Sequence, residues 1–128
     1  MRAHSYRSTT FLAMIFTIGL AGCASGGGSG TPRPAGATAN RIVSAEFLEL
    51  GQVTVYQAVE RLRPRWLNPR QGAPQLYVEG TRRAGGIQDL RSMRVEDVLQ
   101  MEYLSPTDAT TQFGTGHNGG AILVTVMR

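Results

Sequence analysis

The chain of 128 residues contains one cysteine, Cys23. An intramolecular disulfide is therefore excluded, so any folded part must be held together by packing and hydrogen bonding alone. Residues 24–39 are glycine, alanine, serine, threonine and proline with a single arginine, and offer nothing large enough to bury. We predict one small domain over residues 41–128, which is expected to bury about 60–65% of its unfolded surface and to be modestly stable.

Residues 1–22 have the order of an export signal. Arg2 and Arg7 form a positive head, an apolar run extends from Phe11 to Leu20, and the small residues Ala21 and Gly22 come last. The apolar run has ten residues, whereas a membrane-spanning helix needs about twenty. The pattern therefore predicts a cleaved signal peptide and not a membrane anchor.

The end of this signal, Leu20-Ala21-Gly22-Cys23, resembles the lipobox of bacterial lipoproteins. The resemblance implies cleavage between Gly22 and Cys23, lipidation of the Cys23 thiol and acylation of the new amino terminus. Residues 23–40 would then form a lipidated cysteine and a flexible tether with an end-to-end distance of about 20–25 Å. Because Ala24 is not the aspartate that retains many lipoproteins in the inner membrane, we expect an outer-membrane address facing the periplasm. The alternative is a secreted protein with one spare thiol.

The charge of the chain argues against nucleic-acid binding. Thirteen arginines face nine acidic residues, and loss of Arg2 and Arg7 with the signal leaves a net charge of 11 − 9 = +2. Nucleic-acid-binding domains carry a stronger positive charge, and an exported protein does not meet nucleic acid. We therefore expect no nucleic acid among its partners.

Three stretches of the domain have helical patterns. Thr54 and Gln57 have the spacing of a capping box, and the apolar residues that follow recur at helical spacing. We predict that this helix ends at Pro64, because a proline disfavours helical geometry in the residue before it. A shorter helical turn is predicted over residues 44–50, and another helix over residues 106–112.

Three stretches have strand patterns. Residues 76–78 are predicted to form a short strand that turns at Gly80, and residues 121–127 a strand apolar enough to lie at the centre of a sheet. Residues 98–104 alternate between apolar and polar, which indicates a half-buried strand. Its predicted core-facing residues are Leu99, Met101 and Tyr103. The chain is therefore predicted to be an α+β protein with a small mixed β-sheet and flanking short helices.

The second half of the domain resembles the plug domain of TonB-dependent outer-membrane receptors. The residues that carry the resemblance are the segments 97–104 and 119–125, Pro106, Ala109, and the pair Phe113-Gly114, with weaker similarity in segments 54–62 and 76–80. In these receptors the plug is a small mixed sheet with flanking helices that fills the lumen of a β-barrel. The resemblance thus implies the same plug-like fold for residues 41–128.

The resemblance does not extend to the rest of a receptor. Residues 24–40 lack the acidic-then-hydrophobic segment by which receptors contact TonB, and the barrel would begin after Arg128. We therefore expect a stand-alone, plug-like lipoprotein without the barrel, and no transport by this chain itself.

A glycine-rich loop at residues 114–120 contains a nominal G-x-G-x-x-G. That pattern binds dinucleotides when a strand precedes it and a helix follows, whereas here a helix precedes and a strand follows. We predict a structural turn, with positive φ angles or close backbone approach at its glycines, and no cofactor.

His117 and Asn118 lie in this loop and are candidate partner-binding residues. If Cys23 is lipidated and His4 is removed with the signal, His117 is the one histidine that remains, and no free cysteine is left. A typical zinc site needs several cysteine and histidine ligands, so no metal site is predicted and His117 is expected to be a solvated turn residue. No serine or threonine has a recognisable histidine and acid arrangement, so the chain is predicted not to be an enzyme.

Four arginines, at positions 61, 63, 65 and 70, surround Trp66 in the sequence. Trp66 can be a lid on a small core, with Arg61 and Arg63 complementing the end of the preceding helix. The alternative is a basic, aromatic patch around Arg65 and Trp66 that meets lipid phosphates or a partner protein.

Two classes of function follow. The first is a lipid-anchored, plug-like interaction module at the periplasmic face of the outer membrane, accessory to envelope transport, with an envelope protein as its partner. The second is a small-ligand-binding periplasmic lipoprotein that uses the same fold. For both, loops are the expected binding elements, so Arg82 and Arg83 in the predicted loop 81–86 join the candidate residues.

Overall fold

The computed structural model describes residues 32–68, 70 and 72–128. Five strands form one mixed sheet in the order β1-β4-β5-β2-β3. The strands are β1 Arg41–Val43, β2 Gln75–Val78, β3 Thr81–Arg83, β4 Val98–Leu104 and β5 Ala121–Val126. The α-helices are α1 Ser44–Leu48, α2 Val55–Leu62, α3 Pro64–Leu67 and α4 Pro106–Phe113, and 3-10 turns cover Gly86–Arg91 and Val95–Asp97. The predicted α+β architecture, a small mixed sheet with short helices, is confirmed.

β5 lies at the centre of the sheet, as its apolar sequence predicts. It pairs antiparallel with β4 on one side and parallel with β2 on the other. The successive residues of β5 point to opposite faces, and both faces are covered. Ile122 and Val124 pack in the larger core, while Ala121 and Leu123 pack in a smaller cluster beneath α4.

The larger core lies between one face of the sheet and the helices α1, α2 and α3. Its most buried large side chains are Phe47, Ile42, Leu76, Leu90, Met101 and Ile122. The smaller cluster on the opposite face joins Tyr77 and Ala109 to Phe113. Both faces of this small sheet are therefore shielded by helices.

β4 departs from the regular alternation that its sequence predicts. Val98 pairs with Val126 and Gln100 with Thr125, so the register shifts between Val98 and Gln100. This bulge turns Val98 into the core and leaves Leu99 47% exposed. The prediction that Leu99 faces the core is therefore wrong, while Met101 is fully buried and Tyr103 packs against the same core.

The local signals at α2 are confirmed. The Thr54 hydroxyl accepts a hydrogen bond from the Gln57 backbone N–H, and the Gln57 side chain accepts one from the Thr54 N–H. This reciprocal pair satisfies two N–H groups that a helix start leaves without partners. The helix ends at Leu62, and Arg63 leaves the helical region with φ −144° before Pro64 begins α3.

The predicted loop 81–86 begins with a strand. Glu79 and Gly80 both have positive φ, 50° and 75°, which is the geometry of a two-residue hairpin turn that matches the twist of the paired strands. β3 therefore pairs antiparallel with β2 and forms an edge of the sheet. Arg82 and Arg83 are exposed on this edge strand and not in a loop.

Contacts of the domain extend into residues 38–40. The buried guanidinium of Arg63 donates two hydrogen bonds to the Thr38 carbonyl and two to the Glu46 carboxylate. The Asn40 carbonyl accepts from the Tyr103 backbone N–H. The predicted signal peptide, the predicted lipobox and residues 23–31 of the predicted tether lie outside the described residues. Across the described part of the chain, no helix is long and apolar enough to cross a bilayer.

Candidate functional site

A cleft of about 520 Å³ lies where α3 meets β4 and the glycine-rich loop. Its lining residues are Asn40, Arg65, Trp66, Asn68, Arg70, Tyr103, Pro106 and Asn118. The cleft is open to solvent. It brings together three of the predicted site residues, the neighbouring Arg65 and Trp66 and the sequence-distant Asn118.

Two stacked aromatic rings form the floor of this cleft. The ring centroids of Trp66 and Tyr103 are 5.9 Å apart, with an angle of 22° between the ring planes. The Trp66 indole N–H donates a 3.3 Å hydrogen bond to the Ala39 carbonyl, and the side chain is only 3% exposed. Trp66 is therefore part of the core, and it also lines the cleft.

Tyr103 connects the cleft floor to the glycine-rich loop. Its hydroxyl donates a 3.0 Å hydrogen bond to the Gly119 carbonyl. The ordinary pKa of a tyrosine lies well above neutral pH, and burial raises the pKa of Tyr103 further, so this bond keeps its proton at neutral pH. A Cβ at position 119 would collide with the carbonyl oxygens of Gly72 and Ala73. The predicted close backbone approach is confirmed here, and it fixes Asn118 at the rim.

The rim of the cleft is positively charged. Arg65, Asn68, Arg70 and Asn118 are all exposed, and no aspartate or glutamate is among the described residues that line the cleft. Among the described residues, neither Arg65 nor Arg70 forms an ion pair. Two guanidinium groups with adjacent side-chain amides offer many hydrogen-bond donors to an anion, and carboxylates and phosphates match the planar guanidinium fork.

His117 is buried, so the prediction of a solvated turn histidine is wrong. The side chain is 6% exposed. Its Nδ1 lies 2.8 Å from the Gly114 carbonyl, which can only accept, so we assign the ring proton to Nδ1. Nε2 then accepts a 2.8 Å hydrogen bond from the Tyr77 hydroxyl. Phe113 stacks on Tyr77 and lies beside the imidazole, and the group is therefore closed to a ligand.

This arrangement gives a stability prediction. Tyr77→Phe removes the donor to Nε2 but keeps the stacked ring, so a buried acceptor is left without its partner. We expect the free energy of unfolding to fall by about 1–3 kcal/mol. Urea denaturation measures this loss, and Tyr56→Phe is the control because the Tyr56 ring is only half-buried. Equal midpoints for Tyr77→Phe and the unmodified protein would contradict the assigned hydrogen bond.

The remaining predicted residues lie elsewhere. Arg82 and Arg83 are on β3, at the edge of the sheet opposite to β1. The Arg82 Nε–H donates to the Gln75 side chain at 3.1 Å. The structure therefore does not join these arginines to the cleft beside Trp66.

Sequence reasoning missed an apolar strip at the other end of β4. Leu48 is 79% exposed, Leu99 47% and Met127 49%, and these are the large apolar side chains that are exposed among the described residues. Met127 lines one groove with Leu48 and another with Leu99, which makes the strip continuous. The first groove has a volume of about 380 Å³ and includes Phe47 and Val95, with Glu96 as its one charged lining residue. The β4 bulge exposes Leu99, and the sequence carries no clear signal for it.

Within the described part of the chain, no group of three histidine, cysteine, aspartate or glutamate side chains is placed to hold a metal ion. No protein-family model, curated protein or solved structure was found to match the chain.

Proposed function

We propose that this chain is a lipid-anchored, plug-like interaction module at the periplasmic face of the outer membrane, and that it binds an envelope protein through the apolar strip. Lipidation of Cys23 supplies the anchor. The resemblance of residues 41–128 to receptor plug domains supports a role accessory to envelope transport.

The apolar strip is the observation that supports partner binding. Single exposed apolar residues are common on protein surfaces, but adjacent ones with a polar surround are typical of interaction sites. Met127 lies beside Leu48 in one groove, which Phe47 and Val95 also line, and beside Leu99 in the other. Because Glu96 is the one charge in that groove, the partner segment is expected to combine apolar anchors with a basic residue.

The alternative function is a small-ligand-binding periplasmic lipoprotein. Small-ligand sites bury most of their ligand in a concave pocket. The cleft beside Trp66 and the groove beside Leu48 are both open to solvent. Open surfaces of this kind suit part of a larger molecule better than a ligand that must be enclosed, which favours the first function.

Photocrosslinking in intact cells tests the proposal. A photoreactive amino acid placed at position 48 and, separately, at position 99 should capture the same envelope protein, since both positions lie on one strip. Position 112 on α4 is the control, because Gln112 is exposed and lines neither groove of the apolar strip. The substitution Met127→Gln, between the two probes, should reduce capture from both.

Three outcomes would contradict the proposal. Equal labelling from positions 48 and 112 would indicate random collision, and crosslinks only to a second copy of this chain would indicate self-association. An amino-terminal peptide of the mature protein that does not begin with acylated Cys23, as measured by mass spectrometry, would remove the anchor.

A further inference from the structure

We propose that the cleft beside Trp66 binds the phosphate-bearing headgroup of a membrane lipid, and so docks the domain on the membrane that anchors it. This inference rests on the proposed lipidation of Cys23. It is independent of the apolar strip.

The charge of the cleft favours an anion. Arg65 and Arg70 are exposed, have no ion-pair partner among the described residues, and face no acidic side chain in the cleft. Three other arginines of the described domain have acidic partners. Arg63 pairs with Glu46 at 2.9 Å and Arg41 with Glu102 at 3.1 Å. The two cleft arginines are therefore available to a phosphate, which a guanidinium binds through two parallel hydrogen bonds.

The shape and lining of the cleft suit a headgroup better than a free ion. A volume of about 520 Å³ is in the range of sites for small organic molecules and far larger than one phosphate needs. The open side leaves room for the rest of a lipid to stay in the bilayer. Asn68 and Asn118 offer amide donors and acceptors to glycerol oxygens.

The path of the chain places this cleft beside the tether. Asn40 lines the cleft, and the Ala39 carbonyl accepts from the Trp66 indole. The proposed lipid on Cys23 lies only 40 − 23 = 17 residues before Asn40 in the chain, which keeps the cleft near the membrane surface. The exposed pair Arg82 and Arg83 lies at the opposite edge of the sheet. A membrane lipid is therefore the anion source that this cleft meets first.

Trp66 is the one tryptophan in the chain, so its fluorescence reports on the cleft. The mature, lipidated protein is reconstituted in vesicles of phosphatidylcholine alone, or of phosphatidylcholine and phosphatidylglycerol in equal amounts. Each vesicle also contains a lipid with a spin-labelled headgroup that quenches nearby tryptophan. We expect stronger quenching of Trp66 in the anionic vesicles, and loss of that difference at high salt.

Two double variants separate the cleft from general surface charge. Arg65→Gln with Arg70→Gln should weaken association of the domain with the anionic surface about fivefold for each arginine removed. Arg82→Gln with Arg83→Gln removes the same charge from the far edge and should leave quenching unchanged. Equal effects of the two double variants would overturn the proposal in favour of unspecific electrostatic attraction.

Soluble competitors identify the source of the anion. Inorganic phosphate or glycerol phosphate is added to the protein in neutral vesicles. If it changes Trp66 emission and anionic lipid has no further effect, the membrane proposal is overturned and the ligand is a soluble phosphate. If polyglutamate gives the same result, the membrane proposal is also overturned, and the cleft binds an acidic protein. If the acylated protein shows the same quenching of Trp66 in neutral and anionic vesicles, this inference alone is overturned. If the mature protein carries no lipid on Cys23, both the anchor and this inference are overturned.

Discussion

Met101→Asp is expected to lower the free energy of unfolding by about 4 kcal/mol or more. Met101 is fully buried on β4 and packs in the larger core between the sheet and the helices. An aspartate there would lose its hydration and find no cation to pair with. Because small domains are stable by only about 5–15 kcal/mol, this change alone brings the domain close to unfolding.

Leu99→Asp is the control that tests the bulge. Regular alternation would place position 99 on the same face as Met101, but the shifted register leaves Leu99 47% exposed. We therefore expect Leu99→Asp to change the free energy of unfolding by less than about 0.5 kcal/mol. Urea denaturation monitored by Trp66 fluorescence compares the two variants. A large loss for Leu99→Asp would mean that β4 runs without the bulge.

Glu46→Ala is expected to destabilise the domain by about 3–5 kcal/mol, because it leaves a buried guanidinium without its counter-charge. The Arg63 and Glu46 side chains are 7% and 6% exposed, and their closest N···O distance is 2.9 Å. Arg63 also donates to the Leu62 and Thr38 carbonyls. The pair therefore joins α1, the end of α2 and the segment before β1.

Glu102→Ala is the matched control for this ion pair. Glu102 pairs with Arg41 at 3.1 Å, but its side chain is 35% exposed and that of Arg41 is 41% exposed. Water and salt screen such a pair, so its loss should cost less than about 1 kcal/mol. The double variant Glu46→Leu with Arg63→Met should cost less than Glu46→Ala alone, because no charge is then left buried. Equal losses for Glu46→Ala and Glu102→Ala would contradict the buried pair.

The two proposed surfaces lie toward opposite ends of β4. Tyr103 forms part of the cleft floor near the end of the strand, and Leu99 belongs to the apolar strip near its start. A domain that docks on the membrane through the cleft would therefore hold the strip away from the bilayer. This arrangement would leave the strip accessible to an envelope protein, which makes the two proposals compatible.

Several elements could be predicted because their signals are local. The Thr54 and Gln57 side chains cap the start of α2, where both residues lie. Pro64 disfavours helical geometry in Arg63, the residue before it. The apolar run 121–127 indicates a central strand because a strand in that place is covered on both faces. In each case the residues that determine the conformation are close together in the chain.

Other features depend on residues far apart in the chain. His117 looks like an exposed loop residue until Tyr77, forty positions away, supplies its hydrogen bond. The cleft exists because residues near positions 40, 66, 103 and 118 meet in the folded domain. Thus the sequence by itself determined where α1, α2, α4, β2, β4 and β5 form, since their signals are local. It did not predict β1 and β3, which form strands by pairing with β4 and β2. Tertiary structure alone decided which side chains are buried, paired or left free at a surface, because burial depends on which distant segments pack together.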